Sequence, residues 1–471
     1  MWVASVSNID WPNSPSDTVA TQKASLEELV DTLSAAGMNQ IYFQVRPAGD
    51  ALFSSSIEPW SKYLTGRQGQ PPSPLWDPLE HIIDYGHSKN MEIHAWINPY
   101  RASMSPSSDG LAPNHMAILF PEYAYPYSTF LWMDPGAEVV QNRTFQVVMD
   151  LVNRYDLDGL HMDDYFYPYP VTGQEFPDNA TYSQYVVQGG TLSLDDWRRE
   201  NVNKLVHRIY QGIHDFSNKP WIRFSVSPFG IYRPCEEGGM PCSINGFDQY
   251  SGIYCDAKLW LEQGWVDILQ PQLYWKIDPP AQSYPVLLDW WTQRNPQRRH
   301  VYAGNYLSRV LDAWPVTELT DQITVSRMPQ FRDKGSLGNV QFSAQIFKNN
   351  VKNVTSHFVQ TVYRYPALVP SYPWLAAKMN QTRATMPAVT ISQDGLVSIT
   401  IDQPSASVIH KLVVHQKIEN GSPWQLYKVI QFPKELPKFH VTFRPPVGGK
   451  YIAHVQDHIG QESQKVYFEI K

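Results

Sequence analysis

Apolar, strand-like runs alternate with helix-like patterns up to about residue 365, and this alternation restricts the fold more than any other feature. The runs lie at 2–7, 39–46, 91–98, 157–164, 222–229, 267–274, 301–306 and 340–346. Amphipathic segments fall between them. Eight strands alternating with eight helices predict a closed (β/α)8 TIM barrel, an α/β fold with parallel strands inside and helices outside.

Start signals mark several of these helices. The spacing of Ser25 and Glu28 predicts a capping box. Asp77 and Pro78 predict a capped start with proline in the first turn, and Ser193 opens a long amphipathic run. The remaining helices are predicted at 137–154, 256–264, 282–294, 318–327 and 354–364. An open doubly wound sheet is the alternative fold, but it usually has a glycine-rich turn after its first strand, and residues 8–12 contain no glycine.

The pattern changes to an alternation of period two from about residue 385. Short strands are predicted at 388–393, 396–402, 408–417, 424–432, 438–444, 449–457 and 464–470. Seven strands without a helix predict a small all-β sandwich of the fibronectin type III or immunoglobulin kind. We therefore assign 1–383 to the barrel domain and 384–471 to the sandwich, with 366–387 as the linker. The sandwich is expected to be a structural or accessory module.

Composition and charge exclude several classes of function. The net charge of −7 argues against a nucleic-acid partner, which requires a basic face. No apolar run reaches 18 residues, so no membrane span is expected. His94 and His161 lack the neighbouring ligands of a metal site, and we expect neither a metal nor a cofactor. For His161 a hydrogen-bonded position in the core is favoured over a catalytic role.

The cysteines and the start of the chain bear on localisation. Cys235 and Cys242 lie in one glycine-rich loop, where a disulfide is geometrically easy, and Cys255 is left over. Asn-x-Ser/Thr sequons occur at Asn142, Asn179, Asn353, Asn380 and Asn420. The chain begins directly in a strand-like run. We expect a secreted or periplasmic protein whose signal peptide has been removed.

The stretch 157–168 is the candidate floor of an active site. Side chains alternate along a strand, so Leu160 and Met162 point to one face and His161 and Asp163 to the other. Asp163 therefore points into the barrel at the carboxyl end of the fourth strand, where catalytic groups of such barrels lie. Asp164 is expected to face away unless the strand has already turned.

Other strands place polar groups at the same end by the same alternation. The eighth predicted strand, for example, turns Ser343 and Gln345 inward. The collected candidates are Arg46, Asn98, Asp163, Gln272, Tyr274 and Asn305, with Asp50, Tyr100, Asp164, Tyr165, Tyr167 and Trp275 just beyond. Such groups hydrogen-bond and stack on hydroxyl-rich rings, so an oligo- or polysaccharide is the expected partner. Arg46 could equally neutralise Asp163 or Asp50 in a structural ion pair.

Several motifs resemble a known family. They are 44–47 (QVRP) with 50–52 (DAL), 59–61 (PWS), 63–66 (YLTG), 76–79 (WDPL), 94–101 (HAWINPYR), 158–168 (DGLHMDDYFYP), 227–232 (SPFGIY), 264–267 (GWVD) and 271–275 (PQLYW). These motifs are similar to those of the bacterial glycosyl-hydrolase-like family 10. The resemblance implies a TIM barrel, often followed by a sandwich domain, and a secreted or periplasmic glycoside hydrolase. It also implies peptidoglycan glycan strands stripped of their peptides as a substrate.

Glycoside hydrolysis usually needs two carboxyl groups, and only the first is clear from the sequence. Asp163 is the first choice, while the second could be Asp164 or a loop acid such as Asp50 or Glu58. The stretch 158–163 also loosely resembles the strand-4 motif of family 18 chitinases, in which a 2-acetamido group of the substrate assists. The proton donor of that motif would fall on Tyr165, so another acid must serve.

The function expected from the sequence is hydrolysis of a polysaccharide of N-acetylated amino sugars. Two alternatives remain open at this point. One is a catalytically inactive barrel that binds glycans, and the other is a hydrolase of a neutral or galactosamine-containing polysaccharide. An inactive barrel would bind saccharide without releasing product, whereas a neutral-sugar hydrolase would not need the acetyl group.

Overall fold

The computed structural model describes residues 1–379, 386–402, 409–417, 423–432, 438–446 and 448–470. Within them, eight parallel strands form one nearly closed sheet in chain order. The strands are β1 (Trp2–Val3), β2 (Gln40–Arg46), β3 (Glu92–Ile97), β4 (Gly159–Met162), β5 (Arg223–Val226), β6 (Ile268–Leu269), β7 (His300–Asn305) and β8 (Ser336–Gln341). This topology confirms the predicted (β/α)8 barrel.

Helices surround the barrel. They are α1 (Val19–Ala35), α2 (Lys62–Thr65), α3 (Pro78–Ser88), α4 (Met116–Leu119), α5 (Glu138–Arg154), α6 (Asn179–Val187), α7 (Leu194–Gln211), α8 (Gln249–Gly252), α9 (Ala257–Gln263), α10 (Tyr284–Gln293), α11 (Val316–Ser326), α12 (Pro329–Arg332), α13 (Ala344–Lys348) and α14 (Val354–Gln360). The outward side chains of the strands, such as Ile41 and Phe43, pack with these helices in the main apolar core. In the part of the chain that is described, no helix is long and apolar enough to cross a bilayer.

The helix starts are only partly as predicted. Asp77 caps α3 and Ser193 caps α7, as expected. The capping box at Ser25 is wrong, because α1 already begins at Val19 with Thr18 as its cap. Ser25 lies inside that helix, where its hydroxyl donates to the carbonyl of Gln22. The sequence pattern of a helix cap was therefore produced by a buried serine in the second turn of the helix.

The observed strand bounds differ from the predicted ones throughout the barrel, for example in β1, β6 and β8. β1 stops at Val3, and β6 has only two residues because Pro271 has no N–H to donate to a neighbouring strand. β8 ends at Gln341 rather than at 346. The predicted inward positions Ser343 and Gln345 therefore do not lie on a strand: Ser343 precedes α13 and Gln345 lies within it.

A buried carboxylate, Asp10, connects the two ends of the barrel sheet. One oxygen of Asp10 accepts from the backbone N–H of Ala4, which follows β1, at 2.8 Å. The other oxygen accepts from the hydroxyl of Ser343 and from the backbone N–H of Gln345, both at 2.8 Å. Asp10 therefore holds the segment after β1 against the segment after β8.

The C-terminal region is a sandwich of two antiparallel sheets in its described residues. The strands are β9 (Ala388–Ile391), β10 (Val397–Asp402), β11 (Ile409–Lys417), β12 (Gln425–Gln431), β13 (Lys438–Phe443), β14 (Gly449–Asp457) and β15 (Val466–Ile470). One sheet has the order β9-β10-β13 and the other β12-β11-β14-β15. The predicted domain boundary at 383/384 lies outside the described residues.

The linker and the sandwich together cover the amino-terminal mouth of the barrel. Tyr372 of the linker packs inside this mouth with Tyr42 and Tyr302, and Ile459 of the sandwich joins the same apolar cluster. The backbone N–H of Tyr372 donates to the carbonyl of Ile459 at 2.8 Å. The linker and the sandwich thus pack against the barrel at the end opposite to the carboxyl ends of its strands.

Charged side chains surround this apolar contact. Glu92 at the start of β3 lies 2.5 Å from Arg223 of the barrel and 3.3 Å from Lys411 of the sandwich. Burial raises the pKa of Glu92, but the charges of Arg223 and Lys411 outweigh it and hold the pKa well below its usual range. A buried ion pair between Lys411 and Glu92 therefore connects the two domains.

Candidate active site

A cavity of about 350 Å³ opens at the carboxyl ends of the barrel strands. Its wall combines aromatic rings with a small number of polar groups. The lining residues are Trp2, Ala4, Val6, Ser7, Ile9, Gln44, Trp96, Arg101, Met104, Asp163, Asp164, Tyr165, Tyr169, Ser227, Phe229, Gln272, Tyr274 and Phe342. An aromatic cleft with few convergent polar groups is typical of a small-molecule or saccharide site.

Asp163 lies directly after β4 and is surrounded by hydrogen-bond donors. Nδ2 of Asn98 lies 2.8 and 2.7 Å from its two carboxylate oxygens. Nε1 of Trp96 donates to Oδ2 at 3.2 Å, and the backbone N–H of Tyr165 donates to Oδ1 at 3.2 Å. Burial raises the pKa of Asp163, and the charge of Arg101 and the bond from Asn98 oppose that rise. These partners stabilise the ionised form.

Asp164 lines the same cavity but has a different environment. It is 3% exposed, and its Oδ2 accepts from the hydroxyl of Tyr169. Burial and then the charge of Asp163 raise the pKa of Asp164 to about 7. Hydrogen bonds from Tyr169 and Gln272 oppose this rise. Asp164 is therefore the acid of the pair that titrates near neutral pH, beside a carboxylate whose ionised form accepts several hydrogen bonds.

Asp164 faces the cavity, because the strand has already turned before it, which is the one case in which it was not expected to face away. β4 ends at Met162, so the backbone after it no longer alternates as a strand. Both acids consequently reach the cavity from adjacent positions. The same turn carries Tyr165 and Tyr169 into the wall of the cavity.

Arg101 provides positive charge on the other side of Asp163. It begins the strand Arg101–Ser103 of a small antiparallel sheet that also contains Ala124–Tyr127 and Phe130–Met133. Its guanidinium lies 5.0 Å from the ring centre of Tyr165, a distance typical of a cation–π contact. Nε donates to the carbonyl of Pro47, so the side chain is fixed from behind.

His161 is a core histidine, as the sequence favoured. Nε1 of Trp2 can only donate, and it lies 3.0 Å from Nε2 of His161, which is therefore an acceptor. The proton then lies on Nδ1, 2.8 Å from the hydroxyl of Ser225. Burial also holds the pKa of His161 well below its usual value. The residue is a neutral support beneath the acids.

Five of the predicted site residues line the cavity and one supports them. The lining residues are Asp163, Asp164, Tyr165, Gln272 and Tyr274. Asn98 lies beneath them in contact with Asp163. Burial, followed by the charge of Asp164, raises the pKa of Tyr274 well above its usual value, so its hydroxyl stays neutral.

Arg46 and Asp50 lie outside the cavity, contrary to expectation. The pairing of β2 with β3 shifts between Gln44 and Arg46, so that Arg46 pairs with Ile97 and shares its outward face. Arg46 there forms an ion pair with Glu58 at 3.1 Å, which removes both residues from the cleft. Asp50 is buried in its own loop, where it accepts from the backbone N–H of Ala48.

Two predicted tyrosines also lie behind the wall. Tyr100 is fully buried in the main apolar core. Tyr167 lies between the two cavity-facing tyrosines of its loop but turns the other way, against Phe176 and Tyr254. Their hydroxyl groups do not line the cavity.

Trp275 and Asn305 are likewise displaced from the site. Trp275 packs behind the lining, with its ring centre 5.5 Å from that of Phe229. Asn305 lies on the outward face of β7 and donates to Gln322 of α11 at 2.8 Å. In β7 the inward positions are His300, Tyr302 and Gly304, so strict alternation already argues against Asn305.

Sequence reasoning missed Trp96, Arg101, Tyr169 and Trp2 as site residues. Trp96 belongs to the inward set of β3 and was recognisable by alternation alone. Arg101 follows Asn98 by three residues and begins a strand of the small antiparallel sheet, so the alternation of β3 no longer applies to it. Tyr169 lies two residues beyond the stretch that ends at Pro168, and its bond to Asp164 depends on the turn after β4.

A parallel barrel with two buried acids at the carboxyl end of its fourth strand is an arrangement suited to glycoside hydrolysis. The Glycosyl hydrolase-like 10 family model matches residues 1–318, and the chain belongs to this family. It is 37% identical over 385 residues to the glycosyl hydrolase YngK of Bacillus subtilis, covering 80% of this chain and 73% of that protein. With the glycosyl hydrolase DigH of Escherichia coli it shares 34% identity over 321 residues, covering 64% of this chain and 72% of that protein.

Solved structures with some likeness to this chain include two sugar-cleaving domains. One is the glycoside hydrolase domain of PgaB from Bordetella bronchiseptica, with 13% identity and a TM-score of 0.46, covering 72% of this chain and 93% of that one. The other is the catalytic domain of β-amylase from Paenibacillus polymyxa, with 12% identity and a TM-score of 0.47, covering 73% of this chain and 94% of that one.

Proposed function

We propose that this glycosyl hydrolase cleaves a polysaccharide of N-acetylated amino sugars, such as peptidoglycan glycan strands stripped of their peptides. Asp163 is the essential carboxylate and Asp164 the proton donor. The observation that carries the proposal is the contrast between two adjacent buried acids in one cavity. Donors surround Asp163, while the pKa of Asp164 is raised to about 7.

Glycoside hydrolysis needs an acid that protonates the leaving oxygen and a negative charge that stabilises the developing cation. An acid with a pKa near 7 holds its proton at neutral pH and releases it readily. A carboxylate held by several donors cannot easily take up that proton. The two environments therefore support different roles for the two acids.

The acetamido preference rests on the adjacency of the acids. In the substrate-assisted route the 2-acetamido group attacks the anomeric carbon, and a carboxylate orients and stabilises it. Asp163 is placed for this second task, because it is charged and lies next to the proton donor. Trp96 and Tyr274, both in the cavity wall, offer apolar ring surface on which a sugar ring and its acetyl methyl group can pack.

A substrate panel tests this function. The wild-type protein is incubated with chitin oligosaccharides, peptide-free peptidoglycan strands, galactosaminoglycan and neutral oligosaccharides, and products are identified by mass spectrometry. We expect cleavage of the N-acetylated strands and its loss when the acetyl groups are removed. Cleavage of neutral sugars alone would contradict the acetamido role, and saccharide binding without any product would indicate an inactive barrel.

We also propose that the protein acts outside the cytoplasm. Cys235 and Cys242 are bonded to each other in a surface loop, and such disulfides persist mainly in oxidising compartments. Cys255 is a buried free thiol. Thiol labelling of the denatured, unreduced protein should therefore modify Cys255 alone, and labelling of all three cysteines would contradict the disulfide.

A further inference from the structure

A chain of buried amides beneath Asp163 has a fixed direction. Gln44 lies on β2, Asn98 follows β3 and Asp163 follows β4, so the three side chains come from neighbouring strands. The backbone N–H groups of Ser5 and Val6 each lie 2.9 Å from Oε1 of Gln44. A backbone N–H can only donate. Oε1 of Gln44 is therefore the acceptor, and its Nε2 must point the other way.

The orientation of Gln44 determines that of Asn98. Nε2 of Gln44 lies 2.7 Å from Oδ1 of Asn98 and donates to it. Arg101 donates to the same oxygen at 3.1 Å. Both partners on this side of Asn98 are donors, so its Nδ2 faces Asp163. All four of these side chains are buried, and water cannot easily replace a missing partner.

We propose that Gln44 is a positioning residue of the active site, which fixes the Asn98 amide so that Asp163 meets only donors and stays ionised. This inference rests on the proposed function. Gln44 borders the cavity, but its oxygen bonds the backbone and its nitrogen bonds Asn98, so it acts through Asn98. An inverted Asn98 would place Oδ1 against Asp163 and favour the protonated acid.

Other charged and titratable groups around Asp163 limit how far a substitution of Gln44 can shift the titration of this acid. The titratable and charged groups that face it are Arg101, Asp164, Tyr165 and Tyr274. Arg101 also opposes inversion of Asn98, because it donates to Oδ1. A change at Gln44 should therefore move the titration of Asp163 without abolishing its charge at all pH values.

Gln44→Glu and Gln44→Met test the proposal. Glutamate keeps one oxygen for Ser5 and Val6 but places its second oxygen against Oδ1 of Asn98. Methionine cannot donate to Asn98, and its sulfur is only a weak acceptor. We expect the acid limb of the kcat profile to move up by about one pH unit, with about tenfold lower kcat at pH values below the shifted limb and KM little changed. The ¹³C NMR signal of the Asp163 carboxyl, assigned with Asp163→Asn, should titrate at a correspondingly higher pH.

Gln341→Glu is the matched control. Gln341 is equally buried on a barrel strand, and its Nε2 donates to Oδ1 of Asn305 at 3.2 Å. This pair does not contact the cavity acids, so the substitution should cost stability without moving the acid limb. An unmoved limb and an unmoved Asp163 signal in both folded Gln44 variants would overturn the proposal, as would an equal shift in the control. If the wild type cleaves no substrate, the proposed function fails, while the NMR titration still decides the role of Gln44.

Discussion

Replacing Tyr169 by phenylalanine should extend activity to higher pH. The hydroxyl of Tyr169 donates to Oδ2 of Asp164, whose pKa is already raised to about 7 by burial and by the charge of Asp163. A bond donated to the charged form of an acid lowers its pKa, so removing the bond raises the pKa further. The variant should therefore hold the catalytic proton under more alkaline conditions.

The size of this shift follows from the strength of one hydrogen bond. A bond to a charged group contributes about 1.5–3 kcal/mol, and one pH unit corresponds to about 1.4 kcal/mol. Loss of the whole bond would thus raise the pKa by about one to two units. Gln272 still bonds Asp164 in the variant, so the lower end, about one unit, is expected.

The pH dependence of kcat between about pH 5 and 10 measures this effect. A proton donor works in its protonated form, so the rate falls as the pH rises through its pKa. We expect the alkaline limb to move from about pH 7 in the wild type to about pH 8 in Tyr169→Phe. The substrate is the oligosaccharide identified by the panel described above.

Tyr165→Phe is the matched comparison, because Tyr165 lines the same cavity and keeps its ring beneath Arg101. The alkaline limb should stay in place in that variant, whatever happens to KM. A limb that is unmoved in Tyr169→Phe, or that moves to lower pH, would refute Asp164 as the proton donor.

Further predictions concern the second acid and the domain contact. Asp163→Asn should lower turnover by at least about 10³-fold, since it removes charge stabilisation of the transition state. The melting temperature of this variant should change by only a few degrees, because removing a buried charge offsets the poorer hydrogen bonds of the new amide. Retained turnover would exclude Asp163 as the essential carboxylate. Lys411→Met should lower the free energy of unfolding by about 1–3 kcal/mol in urea, because Glu92 loses its cation from the sandwich and keeps only its barrel partners. A double-mutant cycle with Glu92→Gln that gives no coupling would contradict the ion pair. Burial holds the pKa of His410, beside Lys411, well below the usual 6.5. The neutral form of His410 therefore contributes stability above the unfolded pKa, and this contribution is lost as the pH falls through and below that value. Between pH 7 and pH 5 the melting temperature should fall less in His410→Gln than in the wild type.

Much of the fold could be predicted because alternation and helix periodicity are properties of the chain alone. Every predicted barrel strand overlaps an observed one, and Asp77 and Ser193 begin helices for local reasons. The errors at strand ends have tertiary causes. Pro271 interrupts pairing in β6, and the chain after Gln341 turns into α13 instead of extending.

Regular alternation along the strands located part of the site. Asp163 could be located because four regular residues precede it. Arg46 could not, since the shifted pairing of β2 and β3 reverses its face and leaves no mark in the sequence. Asp164 and Tyr169 depend on a loop conformation that the packing of several strands determines.

The covered mouth of the barrel bears on how this protein can vary in evolution. The family match ends at residue 318, before β8, whereas the barrel mouth is covered by Tyr372 and Ile459 from much later in the chain. A sandwich taken from another protein would keep these contacts only if it brought a cation to Glu92 and an apolar loop to Tyr372. The two parts should therefore be inherited as a matched pair, and changes in one should select for changes in the other.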